Sequence, residues 1–156
     1  MKYSLLMALV VFILVALAVA LWCLKSAWLP GKLAVMPVCF NRKCFNAEVA
    51  STLAARTKGL MYRQNLADDA GIIFVFGSED VYPFWMKNTF IPLDIIWIGE
   101  NKEVVYIAKN VQPCKTFICP SVSPARRAKY VLEINAGKAD EAGLKVGDRL
   151  NFELRQ

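Results

Sequence analysis

Residues 3–24 form a run of 22 residues without a formal charge, bracketed by Lys2 and Lys25, and no other feature restricts the fold as much. As a helix rising 1.5 Å per residue, such a run is roughly 33 Å long, about the thickness of a bilayer's hydrocarbon core. Apolar character continues through Leu21, Trp22 and Leu24, without the polar stretch that precedes a signal-peptide cleavage site. This predicts an uncleaved transmembrane anchor over residues 1–25, with the membrane as its partner through residues 3–24. Ala18-Val19-Ala20 does fit a small-x-small pattern, so the alternative is cleavage near Ala20 and a secreted or periplasmic product. Lipidation of Cys23 is disfavoured because bulky Trp22 stands where lipoprotein signals place a small residue. Lysine at both ends leaves the orientation undecided by charge.

Pro30 and Gly31 mark residues 26–32 as a linker. Residues 33–156 then form one domain of roughly 125 residues, enough for a single core. The net charge of +6 is spread thinly, since residues 26–156 hold 17 Lys and Arg against 13 acids. Arg42-Lys43 and Arg126-Arg127 with Lys129 are the densest basic spots. Neither has interleaved aromatics, so they read as solvated faces and no nucleic-acid partner is expected. Histidine is absent, which removes Ser-His-Asp and Cys-His catalysis, HExxH zinc sites and imidazole general bases.

The domain reads as strands. Val35, Val38, Phe40, Phe45, Ala47 and Val49 alternate with polar or small residues, predicting a hairpin that turns at Asn41-Arg42. In that register Val38 faces Phe45 and Cys39 faces Cys44. Thr52 can cap a short helix through Arg56 and Lys58 that Gly59 ends. Gly71 opens the buried run IIFVF. Residues 93–98 and 103–108 form a second hairpin about Gly99-Glu100-Asn101-Lys102, and strands are expected over 129–134 and 150–154, with one helical turn over 139–143. Seven or eight short strands with little helix predict an all-β, single-domain sandwich or barrel-like fold with one or two short helices.

The most unusual stretch within the domain is PFWMKNTFIPLD, residues 83–94. As a strand it points Phe84, Met86 and Asn88 one way and Trp85, Lys87 and Thr89 the other, so each face carries apolar bulk followed by a polar group. Lys87 and Asp94 are the best candidates for chemistry, because a lysine desolvated by aromatics beside a carboxylate can trade a proton with it. The simpler expectation is an ion pair, with Asp94 fixing a turn. Arg56 can hold an anion bidentately, or lock Asp94 or a C-terminal carboxylate into the fold. Met61 and Met86 are better read as core than as copper ligands. Cys114-x4-Cys119 and Cys39-x4-Cys44 read as two disulfides of an oxidising compartment rather than as one four-thiolate zinc site or a crossed pairing, leaving Cys23 unpaired. No metal and no cofactor are expected.

Several segments together resemble the domain-of-unknown-function 192 family. They are Arg56 with Gly59-Leu60-Met61, Gly71-Ile72-Ile73-Phe74-Val75-Phe76, Phe84-Trp85-Met86-Lys87-Asn88-Thr89, Pro92-Leu93-Asp94, Val131-Leu132-Glu133 with Gly137, and Gly147-Asp148. The resemblance covers residues 35–154 and implies a compact β-sandwich-like fold in proteins that often carry an N-terminal export or anchor segment. It brings no established activity and therefore no catalytic residues.

The leading expectation is a non-catalytic module, anchored with residues 33–156 outside the cytoplasm, that binds a small ligand or an envelope protein through Arg56, Trp85, Lys87, Asn88 and Asp94. The alternatives are a hydrolase- or lyase-like enzyme using Lys87 and Asp94 with Arg56 holding an anionic substrate, and a structural envelope protein. Convergence of those residues on a pocket favours binding or chemistry, whereas a flat, self-satisfied network favours a scaffold.

Overall fold

The computed structural model describes residues 2–27 and 33–154, with side chains placed at Met7, over 10–22 and from Leu33 onward. The chain divides after Lys32 into two compact units. The first contains helix α1 (Lys2–Ala27), 26 residues long, and its described side chains are all exposed. Among the described residues no helix is long and apolar enough to cross a membrane, so the transmembrane anchor expected over residues 1–25 is not supported there. Most of the linker expected over 26–32, and the side chain of Cys23, lie outside them.

In the second unit β1 (Val35–Phe40) and β2 (Lys43–Ala50) form the predicted hairpin, with Val38 opposite Phe45 and Cys39 opposite Cys44. Asn41 takes the positive φ, 52°, that so tight a turn demands. The Thr52 hydroxyl accepts from the Ala55 N–H at 3.2 Å to start α2 (Leu53–Lys58), and Gly59 ends it. This connection returns the chain to β3 (Ala70–Asp80), which lies parallel to β2. The remaining elements are β4 (Phe84–Trp85), β5 (Leu93–Ile98), β6 (Val104–Val111), β7 (Ser121–Val122), β8 (Ala128–Asn135) and α3 (Lys138–Glu141).

One six-stranded sheet has the order β1-β2-β3-β8-β5-β6, and β4 pairs with β7 in a small second sheet. Residues 150–154, predicted as a full strand, contribute only an isolated bridge from Asn151 to Cys39, which with a second from Arg149 to Glu103, just before β6, ties the two edges of the large sheet together. Asn151 exchanges both backbone bonds with Cys39 of β1 at 2.8 Å, while Asp148 O accepts from Val104 of β6 at 2.7 Å. The sheet is thus latched into a barrel-like roll, which leaves neither edge strand free along its whole length.

Alternation along each strand then sorts side chains into two cores. Val38, Phe45, Ile73, Ile96, Leu132 and Phe152 belong to one, and Ile72, Phe74, Leu93, Ile95, Trp97 and Val131 to the other, the latter covered by Leu60, Met86 and Phe84. Strand β5 is buried at every position because both its faces are covered. The alternation predicted from Phe84 holds through Lys87 and then fails. Asn88 adopts φ 57° and its carbonyl accepts from the Tyr62 N–H at 2.8 Å, so the chain turns and Thr89, expected beside Trp85 and Lys87, is buried.

Candidate functional site

Between α2 and β4 the outer face of the sheet opens into a cleft of about 320 Å³. Its walls come from two sources. Phe74 and Phe76 project from β3, and Phe84 with Trp85 arrives from β4, which the antiparallel pairing with β7 holds over the sheet. Phe74 and Phe84 meet edge to face with ring centres 4.8 Å apart, and Phe76 stacks on Tyr82 at 3.6 Å. Trp85 is 47% exposed and so stands at the rim.

Arg56 and Lys58 border the same cleft from α2. The Arg56 guanidinium lies over the Phe76 ring, 5.3 Å from its centre, and its Nη1 donates to the carbonyls of Ser51 and Val75. Its remaining N–H groups have no protein acceptor among the described residues. The expectation that Arg56 locks Asp94 in place is therefore corrected: two backbone carbonyls orient it, and the cation is left without a carboxylate.

On the cleft floor is a group that the sequence reading quoted but did not single out. Glu133 lies on β8 directly between Ile72 of β3 and Ile95 of β5. It is 5% exposed and makes no hydrogen bond or ion pair with another described residue. Burial alone pushes its carboxyl up to about 8, so the acid form prevails at neutral pH. Gly59 is what leaves room beside it. A Cβ there would stand 3.1 Å from Phe74 Cζ and 3.9 Å from the Glu133 carboxylate oxygen, on a backbone with φ 45° that favours glycine. The available signal was parity: Glu133 follows Val131 on the same face of a strand that is otherwise apolar there.

The other expected site residues lie elsewhere. Lys87 and Asn88 border a separate hollow of about 450 Å³ with Phe90 and the Cys114–Cys119 loop. Lys87 Nζ is 5.4 Å from the centre of the Trp85 ring, and Asn88 Nδ2 donates to the Tyr62 hydroxyl at 2.8 Å. Asp94 is fully buried on the opposite face of β5 from Leu93 and Ile95, and its two oxygens accept from the N–H groups of Asn110 and Ala139 at 2.8 and 2.9 Å. The Lys87–Asp94 ion pair is thus contradicted, and with it the catalytic grouping of Lys87, Asp94 and Arg56. Asp94 instead ties the end of β6 and the start of α3 to the sheet. Both expected disulfides are present, Cys39–Cys44 and Cys114–Cys119, which occupies the thiols a zinc site would have used.

The profile of the domain-of-unknown-function 192 family, an uncharacterized ACR, matches residues 37–152. The chain belongs to this family. A UPF0127 protein of Pyrococcus furiosus is 30% identical over 108 residues, covering 66% of this chain and 83% of that protein. Among solved structures, a protein of unknown function from Novosphingobium aromaticivorans is 39% identical with a TM-score of 0.68, covering 76% of this chain and 84% of its own. Another, from Sinorhizobium meliloti, described as a candidate transcription regulator, is 31% identical with a TM-score of 0.71, covering 79% and 97%. The segments by which this chain resembles the domain-of-unknown-function 192 family are far apart in sequence. Arg56, Gly59, Phe74, Phe84, Trp85 and Glu133 from four of them nevertheless line one cleft.

Proposed function

We propose that the β domain is a binding module for a small amphipathic organic anion, held outside the cytoplasm by the N-terminal helix, and that it works without catalysis. The observation that carries this reading is the cleft itself. Aromatic side chains wall it, Arg56 at its border keeps N–H groups unspent, and Lys58 adds a second cation. An apolar body is favoured between the rings and an anionic head at the guanidinium. A self-satisfied scaffold would have paired both Arg56 and Glu133. The disulfides fit an oxidising compartment, as they would outside the cytoplasm. The uncharged run between Lys2 and Lys25 supports a membrane tether, since α1 exposes apolar side chains such as Phe12, Leu14 and Trp22 that water does not favour.

Two measurements test the two halves. Fractionation with an alkaline carbonate wash, followed by intact-mass measurement, should find the full chain in the membrane; a soluble protein beginning at Leu21 would overturn the tether. Titration of the full chain in detergent with 4-(4-ethylphenyl)butyrate, followed through the indole signals of Trp85 and Trp97, should saturate. A ligand of this size should reach a Kd of about 1 mM or tighter. Shifts that never saturate, or that are centred on the Lys87 hollow instead, would remove the cleft as the site.

A further inference from the structure

We infer that the ligand of this cleft carries an uncharged oxygen acceptor, such as a ketone or amide carbonyl, at the buried end of its apolar body, and that the Glu133 carboxyl donates a hydrogen bond to it. This rests on the cleft being a ligand site, and it adds what the ligand must present at its inner end.

The geometry is that of a buried polar group aimed at an apolar space. Glu133 is flanked in the sheet by Ile72 and Ile95 and lies below Gly59, with its carboxyl against the cleft and no described partner. No side-chain oxygen is both fully buried and unpaired among the described residues, so the Glu133 carboxyl meets the cleft opening, and a ligand that displaces water there must pair with the carboxyl or leave it unsatisfied. The protonated carboxyl offers one O–H donor, which selects for an acceptor. A ligand with only hydrocarbon at that point leaves the donor unpaired and is discriminated against, as in other sites built around a hydrogen bond.

A cationic ligand pairing with ionised Glu133 is the competing chemistry, and the surroundings oppose it. The charged and titratable groups facing the cleft are Arg56 and Lys58 from α2 and Tyr82 between β3 and β4, while the strands flanking Glu133 contribute isoleucines. Among the described residues Glu133 is the sole acid lining it. Two cations at the border repel an ammonium and leave no second carboxylate to receive one.

The test compares 4-(4-acetylphenyl)butyrate with 4-(4-ethylphenyl)butyrate on the full chain between about pH 6 and pH 10, a range in which both probes stay anionic. The two have nearly the same shape and differ in the carbonyl. Partition into detergent, measured for each probe without protein, does not change with pH while both stay anionic, so once corrected for it their affinity ratio reports the protein alone. The acetyl compound should bind about tenfold tighter at the acid end, and the preference should vanish as pH rises through about 8. Glu133→Gln, which keeps an N–H donor that does not titrate here, should retain the preference at every pH. Glu133→Met should abolish it. The wild-type ratio needs no variant, so misfolding of either one leaves the test intact. A ratio near one at all pH values, a ratio that does not change with pH, or a preference that grows with pH would each overturn the inference while leaving the cleft as a binding site. Failure of both probes to saturate would remove the cleft reading itself.

Discussion

Glu133 occupies a position where strand alternation calls for an apolar side chain, and its energetics have a definite sign. Its folded-state value of about 8 lies above the ordinary 4.5, so between those values the folded chain holds a proton that the unfolded chain has released. Its contribution is therefore fully favourable below about pH 4.5 and is lost as pH rises toward 8, amounting to roughly 3 kcal/mol by pH 7. Glu133→Gln removes this dependence. Urea unfolding should show the variant gaining about 3 kcal/mol on the wild type between pH 4.5 and pH 7; a gap that stays constant would mean the folded carboxyl is ionised. Asp94 and Lys87 make the opposite pair. Asp94→Asn leaves one oxygen for two buried N–H groups and turns an N–H toward the second, so it should cost about 2 to 4 kcal/mol. Lys87→Met loses only a contact over Trp85 at a half-buried site, and should change stability by less than about 1 kcal/mol. Equal losses in thermal unfolding would restore the ion pair. Seven positions of sequence separation placed these two residues together on paper, but the positive φ of Asn88 turns the chain between them.

At the scale of elements the β1–β2 hairpin was legible because parity is local: once Asn41-Arg42 turns the chain, facing pairs follow by counting. The two disulfides are equally local, each joining cysteines five positions apart. Non-reducing peptide mapping should recover Cys39 with Cys44 and Cys114 with Cys119, and crossed peptides would contradict the register. Rings this small remove little unfolded-state entropy, so replacing either pair with serine should cost no more than about 2 kcal/mol in chemical unfolding. The strand expected over 150–154 and the alternation expected through Thr89 were not so legible. In the first, hydrophobic spacing marks Leu150 and Phe152 as inward-facing, but whether a segment becomes a strand depends on having a neighbour along its length. Here the neighbours are two sheet edges that it crosses briefly.

For the whole molecule, the latch makes the C-terminus part of the core. Phe152 is 3% exposed and packs edge to face on Tyr130 at 5.2 Å. Phe152→Ala should cost about 3 to 5 kcal/mol and release the roll's edges, which calorimetry and light scattering would register as a lowered Tm with aggregation. A wild-type-like melt would mean that the bridges at Cys39 and Glu103 do not hold the sheet closed. The sequence by itself determined the apolar N-terminal run, the strand-rich domain, the hairpin register, both cysteine pairings and the family. The first four depend on composition, parity or spacing along a short stretch, and the family on motifs carried by several segments over residues 37–152. Only the tertiary structure decided which candidate residues share a site. It joined Arg56 and Trp85 with Glu133, sent Lys87 and Asn88 to a neighbouring hollow, and enclosed Asp94. Those outcomes depend on which strands become neighbours in the order β1-β2-β3-β8-β5-β6, and therefore on contacts between segments far apart in the chain, which no local pattern encodes.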